Sequence, residues 1–483
     1  MRRAVVSTHL MKRLLFLLAL CPSLSAATQP NVLVIIADDL GYADIGVHGG
    51  TEVPTPNIDA LAASGVRCTN GYVTAPYCSP SRAGFLTGKA QTRFGHEFNP
   101  HAGDEAKLGL PLDQRTIANV LHDAGYATAL VGKWHQGFDA AHHPQSRGFD
   151  EFFGFLVGGH NFLLHKDAEP EFGSAHSHDM IYRGREVQHL DGYTTDLFTD
   201  EALGFMNRNA AKPWFLYLAY NAVHTPLEIA EKLKSRIPAS VTDESRRGYL
   251  SLMLGLDDAI GRISAELKAK HPNTLVFFFS DNGGSGRKPF FAYNTGINTP
   301  LRGDKGQTLE GGIRVPFFVS WPGQLPAGKT YDQPVSAMDV LPTALAAAER
   351  RTGFQPVGNE LKTRFTVEGV NLLPHLKGEK TDAPHEMLAW RFGPQKAIRR
   401  GNWKLVDVRD MEAKTQSEWQ LYDLSSDIGE TKNLATEKPE LVAELAKAWD
   451  DWNAKNMPPQ WHGSPNEDPT APARPSKAGK KAK

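Results

Sequence analysis

Two pairs of oxygen-donor side chains follow two apolar segments of the sequence. Asp38 and Asp39 come directly after the run NVLVIIA. Asp281 and Asn282 come directly after TLVFFFS. One such pair would be weak evidence for a site, because Asp and Asn are common in turns and helix caps. Two pairs with three carboxylates favour a hard divalent cation, Ca²⁺ first and Mg²⁺ second, and disfavour zinc because no His or Cys lies beside them in the sequence.

Basic side chains follow two further apolar runs and occupy one glycine-rich segment. Lys133 and His135 follow YATALV, where strand alternation points both the same way. His224 follows PWFLYLAY, and Lys305 lies in LRGDKGQTLEGGIRVP, where glycine lets backbone approach a ligand closely. Taken singly, such residues are usually surface or structural groups. Together with Arg82, they suit a tetrahedral anion, either sulfate or phosphate.

Cysteine is rare in the chain, which has three. Cys21 is expected to leave with an N-terminal signal, so Cys68 and Cys78 would remain. Cys78 lies between two prolines in APYCSPSRAGFLTGK. In an oxidising compartment the two remaining cysteines would favour a disulfide, and the residues by themselves leave that pairing open.

A sheet must position these side chains. The apolar runs alternate with helical patterns, such as the one over residues 116–124 that Gly125 would end and the longer stripe over residues 249–267. This alternation predicts an α/β fold with a large mixed sheet sandwiched by helices. Ligands bind beyond the carboxyl ends of the strands in such sheets, so we expect the acidic and basic residues to meet at that edge.

The pattern changes after about Glu349. RRTGFQPVGNE is typical of a connecting loop, three alternating segments then predict a small antiparallel sheet, and KPELVAELAKAWDDWNAK predicts an amphipathic helix. The last stretch is rich in Pro, Ala and Lys, which is typical of disorder. We therefore predict a signal peptide at residues 1–26, a catalytic domain at 28–350, a C-terminal subdomain at 351–462 and a disordered tail at 463–483.

The N-terminus has the pattern of a secretory signal, with a basic start, the apolar run LLFLLAL and small residues in SLSAAT. Met11 begins a complete signal by itself and is an alternative start to Met1. A lipoprotein anchor is disfavoured because bulky Leu20 precedes Cys21. No second run is long enough to span a bilayer, so we expect a secreted or periplasmic protein without a membrane span. The net charge of −1 favours neither nucleic acid nor an anionic membrane.

The segment CSPSRAGFLTGK resembles the signature of type I sulfatases, Cys-x-Pro-x-Arg followed by Leu-Thr-Gly. IADDLGYADIG, GKWHQG, FFSDNGG and RGDKGQTLEGGIRVP are similar to that family's other segments and occur in the same order. One departure is Gln136, where many relatives carry Leu. The likeness spans roughly residues 31–434 and implies an alkaline-phosphatase-like fold. It looks most similar to bacterial carbohydrate sulfatases of the arylsulfatase A or N-acetylgalactosamine-6-sulfatase type.

The resemblance implies that Cys78 is converted to Cα-formylglycine by a formylglycine-generating maturation enzyme, which would leave Cys68 as a free thiol. It also implies a calcium site with the following ligands: Asp38, Asp39, Asp281, Asn282 and the oxygen of matured residue 78. The substrate implied is a sulfated saccharide. Three polar and aromatic loops are candidates for sugar contacts or for ordinary packing: TRFGHEFNP with His96, GGHNF with His160, and FFAYNTGINTP.

The same resemblance implies roles for the basic residues. One hydroxyl of hydrated formylglycine would attack sulfur, while Arg82, Lys133 and Lys305 hold the sulfate oxygens together with the cation. His224, helped by Lys305, would protonate the departing alcohol. His135 would then take the proton of the remaining hydroxyl, so that sulfate leaves and the aldehyde forms again. A serine would serve poorly, because its sulfate ester has no second hydroxyl.

Two other functions are alternatives. The first is a phosphonate monoester hydrolase or phosphodiesterase of the same superfamily, which would share the metal site. The second is a non-catalytic sulfoglycan-binding protein with a disulfide between Cys68 and Cys78. The intact signature and the full set of basic residues favour a sulfatase over both.

Overall fold

The computed structural model describes residues 29–100, 108–166, 180–286, 294–349, 366–408 and 418–463. The predicted signal peptide, the loop RRTGFQPVGNE and all but the first residue of the predicted tail lie outside these ranges. Within them, no helix is both long and apolar enough to cross a membrane. The predicted domain bounds at residues 28–350 and 351–462 stay a prediction.

The strands are numbered in chain order. They are β1 (Asn31–Ala37), β2 (Val66–Cys68), β3 (Gly71–Tyr72), β4 (Ala127–Lys133), β5 (Glu151–Phe155), β6 (Leu163–Leu164), β7 (Ile181–Arg183), β8 (Glu186–Gln188), β9 (Gly192–Tyr193), β10 (Trp214–Ala219), β11 (Thr274–Ser280), β12 (Phe317–Ser320), β13 (Lys329–Tyr331), β14 (Val335–Ser336), β15 (Met387–Phe392), β16 (Gln395–Arg400), β17 (Trp403–Asp407) and β18 (Gln420–Asp423).

The helices are numbered in the same way. They are α1 (Pro56–Ala63), α2 (Cys78–Thr87), α3 (Ile117–Asp123), α4 (Thr194–Arg208), α5 (Glu231–Lys234), α6 (Glu244–Lys270), α7 (Glu310–Ile313), α8 (Val340–Glu349), α9 (Leu373–Lys377) and α10 (Pro439–Asn453).

The central sheet has ten strands in the order β13-β2-β12-β11-β1-β10-β4-β5-β7-β8. Its middle strands β11, β1, β10, β4 and β5 are parallel, whereas β12 and β7 pair antiparallel at the flanks. Every residue of β4, β10 and β11 is buried, because helices cover both faces of the parallel part. This arrangement confirms the predicted α/β fold with a large mixed sheet.

The apolar runs predicted the central strands closely. β1 and β11 have the predicted bounds, and β4 and β10 differ from theirs by one or two residues. The helical pattern ahead of β4 forms α3, whose N-terminus is capped by Thr116 through a hydrogen bond of 3.1 Å from the backbone N–H of Asn119. Gly125 follows with a φ of +86°, a conformation that favours glycine and ends the helix.

A second, four-stranded antiparallel sheet, β15-β16-β17-β18, follows in the chain and confirms the predicted small sheet. α10 packs on it through Leu445, Trp449 and Trp452. This sheet is joined to the central part by buried contacts, such as the hydrogen bond of 2.7 Å from Trp390 Nε1 to the carbonyl of Val73. The two parts therefore share one interior.

The four central strands β11, β1, β10 and β4 are neighbours, and their carboxyl ends meet at one edge of the sheet. The loops that leave these ends carry the acidic and basic residues singled out above. α2 and the glycine-rich segment before α7 reach the same edge from elsewhere in the chain, as the contacts described below establish. The topology therefore brings together the residues that the strand-end argument placed there.

One buried ion pair joins the segment before β15 to the turn before α8. His385 Nε2 lies 2.9 Å from each carboxylate oxygen of Asp339, whose oxygens also accept hydrogen bonds from the backbone N–H groups of Ser336 and Val370. Burial disfavours the charged imidazole, but the carboxylate of Asp339 outweighs this and raises the pKa of His385. The pair therefore stabilises the fold when His385 is protonated.

The first prediction follows from this pair. Because the folded-state pKa is raised, the stabilisation is fully present below the unfolded pKa of about 6.5 and is lost as the pH rises through the folded pKa. His385→Gln should lower the free energy of unfolding by about 1–3 kcal/mol at pH 6 and by less at pH 8.5. Urea unfolding at both pH values measures this. His122→Gln, at an exposed histidine 3.2 Å from Asp150, is the matched control. An equal cost of His385→Gln at both pH values would contradict the prediction.

Candidate active site

The two oxygen-donor pairs lie side by side at the ends of β1 and β11. Asp38, Asp39, Asp281 and Asn282 have no solvent exposure. The backbone N–H of Asp39 donates to Asp281 Oδ1 at 3.2 Å, and the amide of Asn282 donates to Asp39 Oδ1 at 2.7 Å. Asp39 adopts a left-handed φ of +61°, which is uncommon for a residue other than glycine. The strand ends therefore place three carboxylates in one dry cluster.

Cys78 is the first residue of α2, and its Sγ lies 3.9 Å from Asp39 Oδ1. The side chain is buried, and burial raises the pKa of the thiol to about 12 although Lys133 and Lys305 partly oppose this shift. A thiol with this pKa is neutral at pH 7, and the neutral form is a poor nucleophile. The structure thus brings Cys78 beside the acidic cluster without activating its thiol.

Arg82 lies one helical turn after Cys78, so both side chains face the cluster. Its Nε donates to Asp281 Oδ2 at 2.9 Å, and its Nη2 lies 2.8 Å from the same oxygen and 3.5 Å from Asp38 Oδ1. Nη1 donates to the Tyr217 hydroxyl at 3.0 Å. The guanidinium is fully buried and is held on two sides.

Two lysines complete the positive charge. Lys133 Nζ donates to Asp38 Oδ2 at 2.6 Å, and Lys305 Nζ donates to Asp39 Oδ2 at 2.7 Å. Lys305 Nζ also lies 5.1 Å from the centre of the Tyr77 ring. Burial opposes the charged form of Lys305, but Asp39 outweighs it and raises the pKa of the ammonium well above its usual value. Lys305 is therefore firmly charged and does not readily give up a proton.

The carboxylates respond to this charge differently. Burial by itself would raise the pKa of Asp38, but Lys133 and the neighbouring cations outweigh it and hold that pKa below its usual range. Burial and the negative charge of Asp38 raise the pKa of Asp281 despite the nearby Arg82. Asp281 is thus a carboxylate that additional positive charge would stabilise.

The two histidines flank the cluster. His224 Nδ1 bonds the carbonyl oxygen of Thr225 at 2.7 Å, and its Nε2 lies 3.7 Å from Asp39 Oδ2. The side chain of His224 is 13% exposed, whereas those of Asp39 and Lys133 are fully buried. His135 has a left-handed φ of +57°, and its Nδ1 has no hydrogen-bond partner among the described residues. The opening of the cluster therefore lies on the side of His224.

Burial lowers the pKa of both imidazoles. For His135 the charges of Lys133 and Arg82 add to the effect, so the ring is neutral at pH 7 and able to accept a proton. For His224 the carboxylates of Asp38 and Asp39 offset part of the effect, but the pKa is still lowered. A bound anion would favour its protonated form.

Two oxygen atoms in the cluster lack a hydrogen-bond partner among the described residues: Asp38 Oδ1 and Asn282 Oδ1. Buried oxygens of this kind are costly unless a cation or donor satisfies them. Ligand atoms of Asp38, Asp39, Cys78 and His224 also lie within 4.8 Å of one another, a spacing that suits a single metal ion. The donor chemistry therefore fits a cation bound here.

The group of four differs from the predicted ligand set. Asp281 is not a member of it, and its oxygens accept hydrogen bonds from Asp39 N–H and from Arg82. His224 and Cys78 are members, although the argument against zinc found no His or Cys beside the acidic ligands. That argument considered neighbours in the sequence, whereas β10 delivers His224 from a neighbouring strand.

The two remaining cysteines are both free and buried. Cys68 belongs to β2, on the far flank of the sheet, whereas Cys78 begins α2. The structure therefore contradicts the alternative in which these two residues form a disulfide.

A buried network that the motifs do not reveal fixes Cys78 relative to His135. The hydroxyl of Ser79, the next residue, lies 2.6 Å from the carbonyl oxygen of His135 and 2.7 Å from His96 Nε2. The Gln136 amide donates to the Ser79 carbonyl at 2.8 Å and to the His135 carbonyl at 2.9 Å. Gln136, the departure from the family pattern, therefore has a definite structural role.

The three candidate sugar-binding loops differ in their position relative to the cluster. His96, in TRFGHEFNP, is fully buried and packs edge-on against Trp461, so local packing accounts for it. Residues 290–293 of FFAYNTGINTP lie outside the described residues. Asn294 in that loop is buried, and its amide donates to the carbonyl oxygens of Asp39 at 2.9 Å and Val223 at 3.3 Å. The loop GGHNF lies beside the rings of His135 and His224, which Gly158 and Gly159 face.

Comparison with known proteins identifies the family. A sequence model of the sulfatase family matches residues 30–349. Arylsulfatase J of Mus musculus is 31% identical over 494 residues, covering 93% of this chain and 79% of that protein. N-acetylgalactosamine-6-sulfatase of Homo sapiens is 35% identical over 375 residues, covering 74% of this chain and 68% of that protein.

A solved structure shares both fold and sequence. Ps i-CgsB in complex with k-i-k-neocarrahexaose superposes with a TM-score of 0.80 and is 33% identical, covering 90% of this chain and 95% of that chain. Residues 30–349, which the family model matches, contain all the residues of the cluster. The chain therefore belongs to the sulfatase family of sulfuric ester hydrolases.

Proposed function

We propose that this sulfatase removes sulfate from a sulfated saccharide, using Cα-formylglycine derived from Cys78 and a bound Ca²⁺. The single observation that carries the proposal is the buried cluster in which Cys78 lies among three carboxylates, three cations and two histidines. Mg²⁺ is the second choice of metal. A formylglycine-generating enzyme would be the maturation partner, and the expected N-terminal signal would direct the protein to the periplasm or outside the cell.

The state of Cys78 supports its conversion. A thiol with a pKa of about 12 lacks the thiolate needed for attack on sulfur. Hydrated formylglycine supplies two hydroxyls on one carbon, one for attack on sulfur and one to drive the later release of sulfate. The N-terminus of α2 also favours negative charge at residue 78.

The proposed metal ligands are Asp38, Asp39, Asp281 and Asn282. When bound, Ca²⁺ would make the attacking hydroxyl more acidic and would polarise the sulfate ester. The Oδ1 atoms of Asp38 and Asn282 have no hydrogen-bond partner among the described residues, and Asp38 Oδ1 has only the longer ion pair of 3.5 Å with Arg82. Together with the raised pKa of Asp281, these oxygens support a cation at this place. The all-oxygen character of these ligands favours Ca²⁺ over zinc, although His224 lies near enough to make zinc worth testing.

Three side chains would bind the sulfate oxygens. Arg82, Lys133 and Lys305 are charged, buried and already fixed by carboxylates, so they need little reorganisation as charge develops on the transferred group. Lys305 holds its proton firmly, so its help to the leaving group is electrostatic. This refines the expectation that it assists protonation.

The histidines would divide the proton transfers. His224, at the opening, would give a proton to the departing alcohol, and the negative sulfate would favour the protonated imidazole needed for this. His135 lies deeper in the cluster than His224. Its ring is neutral at pH 7, and a base must be neutral to accept a proton. It would accept the proton from the second hydroxyl of residue 78 when sulfate leaves.

The relatives support a saccharide as the substrate. One is named for 6-sulfated N-acetylgalactosamine, and the solved relative holds a neocarrahexaose. The two comparisons cover 74% and 90% of this chain. A saccharide sulfate has a poor alcohol leaving group, which is consistent with a proton donor at the opening.

The first test of the function compares substrates and variants. Protein produced with a formylglycine-generating enzyme should release sulfate from an aryl sulfate and from defined sulfated saccharides, and should act far more slowly on aryl phosphate. Cys78→Ala should reduce turnover more than about 1,000-fold, because the nucleophile is lost. Cys78→Ser should do nearly the same or stop after one transfer. Full turnover by Cys78→Ser, or a preference for phosphate, would contradict the proposal; intact mass measures maturation independently.

The second test concerns the metal. Ca²⁺ should raise the melting temperature of the wild-type protein. At a Ca²⁺ concentration 100 times the dissociation constant, binding should add about 2.7 kcal/mol to the free energy of unfolding. Asp38→Asn and Asp281→Asn should lose both bound calcium and this stabilisation. Asp257→Asn changes a buried carboxylate that accepts from the backbone of Asn57 and Ile58, and should keep the calcium response. Stoichiometric zinc without calcium or magnesium in active protein would refute the metal assignment.

The third test separates the histidines. A nitrophenolate leaving group needs little protonation, so His224→Ala should lose about 100- to 10,000-fold on a sulfated sugar and much less on an aryl sulfate. His135→Ala should slow both substrates and let a sulfate group accumulate on the peptide that contains residue 78, visible by mass. Equal losses for both variants, with no sulfated peptide, would show that the roles are assigned wrongly.

A further inference from the structure

Two consecutive glycines follow β5 at the opening of the cluster. Gly158 and Gly159 are partly exposed, and the residues on either side, Val157 and His160, are buried. Neither glycine has a left-handed φ, so other residues could adopt the same backbone conformation. The need for glycine here must therefore come from what surrounds each Cα.

The two histidine rings occupy that space. A Cβ added to Gly158 would lie 2.8 Å from Cε1 and 2.9 Å from Nε2 of His135. A Cβ added to Gly159 would lie 3.3 Å from Cε1 and 3.4 Å from Nδ1 of His224. Real Cβ atoms essentially never come within 3.0 Å of another heavy atom, so alanine at position 158 would displace the His135 ring.

We propose that Gly158 and Gly159 are positioning residues, each of which, by lacking a side chain, leaves the space that one histidine ring needs to take its working place. Gly159 also keeps the opening beside His224 wide enough for the saccharide alcohol. The proposal rests on the proposed function, since it uses the separate roles assigned to His135 and His224.

The two rings differ in how much they depend on this contact. His135 Nδ1 has no hydrogen-bond partner among the described residues, and a Cβ at position 158 would come closer than 3.0 Å to its ring. His224 is anchored by the bond of 2.7 Å between Nδ1 and the Thr225 carbonyl, and a Cβ at position 159 would lie farther from its ring, at 3.3 Å. Alanine should therefore be more damaging at position 158 than at position 159.

Each substitution should reproduce, in weaker form, the defect of the histidine that its glycine contacts. Gly158→Ala should lower kcat about 10- to 100-fold on both a sulfated sugar and an aryl sulfate, since a misplaced base costs up to this much. The sulfated peptide containing residue 78 should accumulate. Gly159→Ala should lower kcat/KM about 10-fold on the sugar and less than about 2-fold on the aryl sulfate, without accumulation.

The matched control is Gly204→Ala in α4, where the new Cβ would meet only the end of the flexible Arg208 side chain. It should keep wild-type rates on both substrates. The melting temperatures of Gly158→Ala and Gly159→Ala should not fall below that of the wild type, and all three variants should bind calcium as the wild type does, which separates ring displacement from unfolding.

Wild-type rates in both Gly158→Ala and Gly159→Ala would overturn the inference, and so would the same substrate profile in both. If one of the two glycine variants unfolds, the rates of the other variant still test whether its glycine positions the adjoining histidine. A failure of the proposed function looks different: the wild type would not hydrolyse sulfate esters, or His135→Ala and His224→Ala would not differ from each other.

Discussion

Three carboxylates and three cations neutralise one another in a region without solvent at the carboxyl edge of the sheet. Burying a single unpaired charge would cost far more than the few kcal/mol by which a domain is stable, so each charge needs its partner in place. The pairs of Lys133 with Asp38, Lys305 with Asp39 and Arg82 with Asp281 join five separate parts of the chain. The fold around the site is thus constrained by charge as well as by apolar packing, and removal of one partner leaves the other buried and unpaired.

The small C-terminal sheet contributes to this constraint. Lys404 Nζ on β17 lies 2.9 Å from Glu310 Oε1 and 2.8 Å from Glu430 Oε1, with all three side chains buried. Glu310 begins α7, five residues after Lys305, so the network anchors the segment that carries this cation. Phe392 stacks on Tyr77, whose ring lies beside Lys305. The second sheet therefore supports the site although none of the proposed catalytic residues belongs to it.

The sequence allowed the central strands and the proposed catalytic residues to be located because buried parallel strands are continuous apolar runs, and the residues after them converge at one edge by topology. Hydrogen-bond partners that are far apart in the sequence could not be predicted from it. Nothing local in Gln136 or Asn294 indicates that their amides hold the backbone of Ser79 and Asp39. His224 was expected at this edge of the sheet, but its closeness to the ligand atoms of Asp38 and Asp39 was not foreseen, because adjacency between strands is not adjacency in sequence.

Backbone conformation and side-chain identity are in tension at two places in the cluster. Asp39 and His135 both have φ values near +60°, where glycine would fit without strain. A non-glycine residue in this region has a cost of order 1–3 kcal/mol, and such residues concentrate at functional sites. Gly158 and Gly159 show the reverse case, because their backbone would accept a side chain but the adjoining ring leaves no room at position 158 and little room at position 159. At all four positions, the chemistry proposed for the site explains the residue better than local conformational preference does.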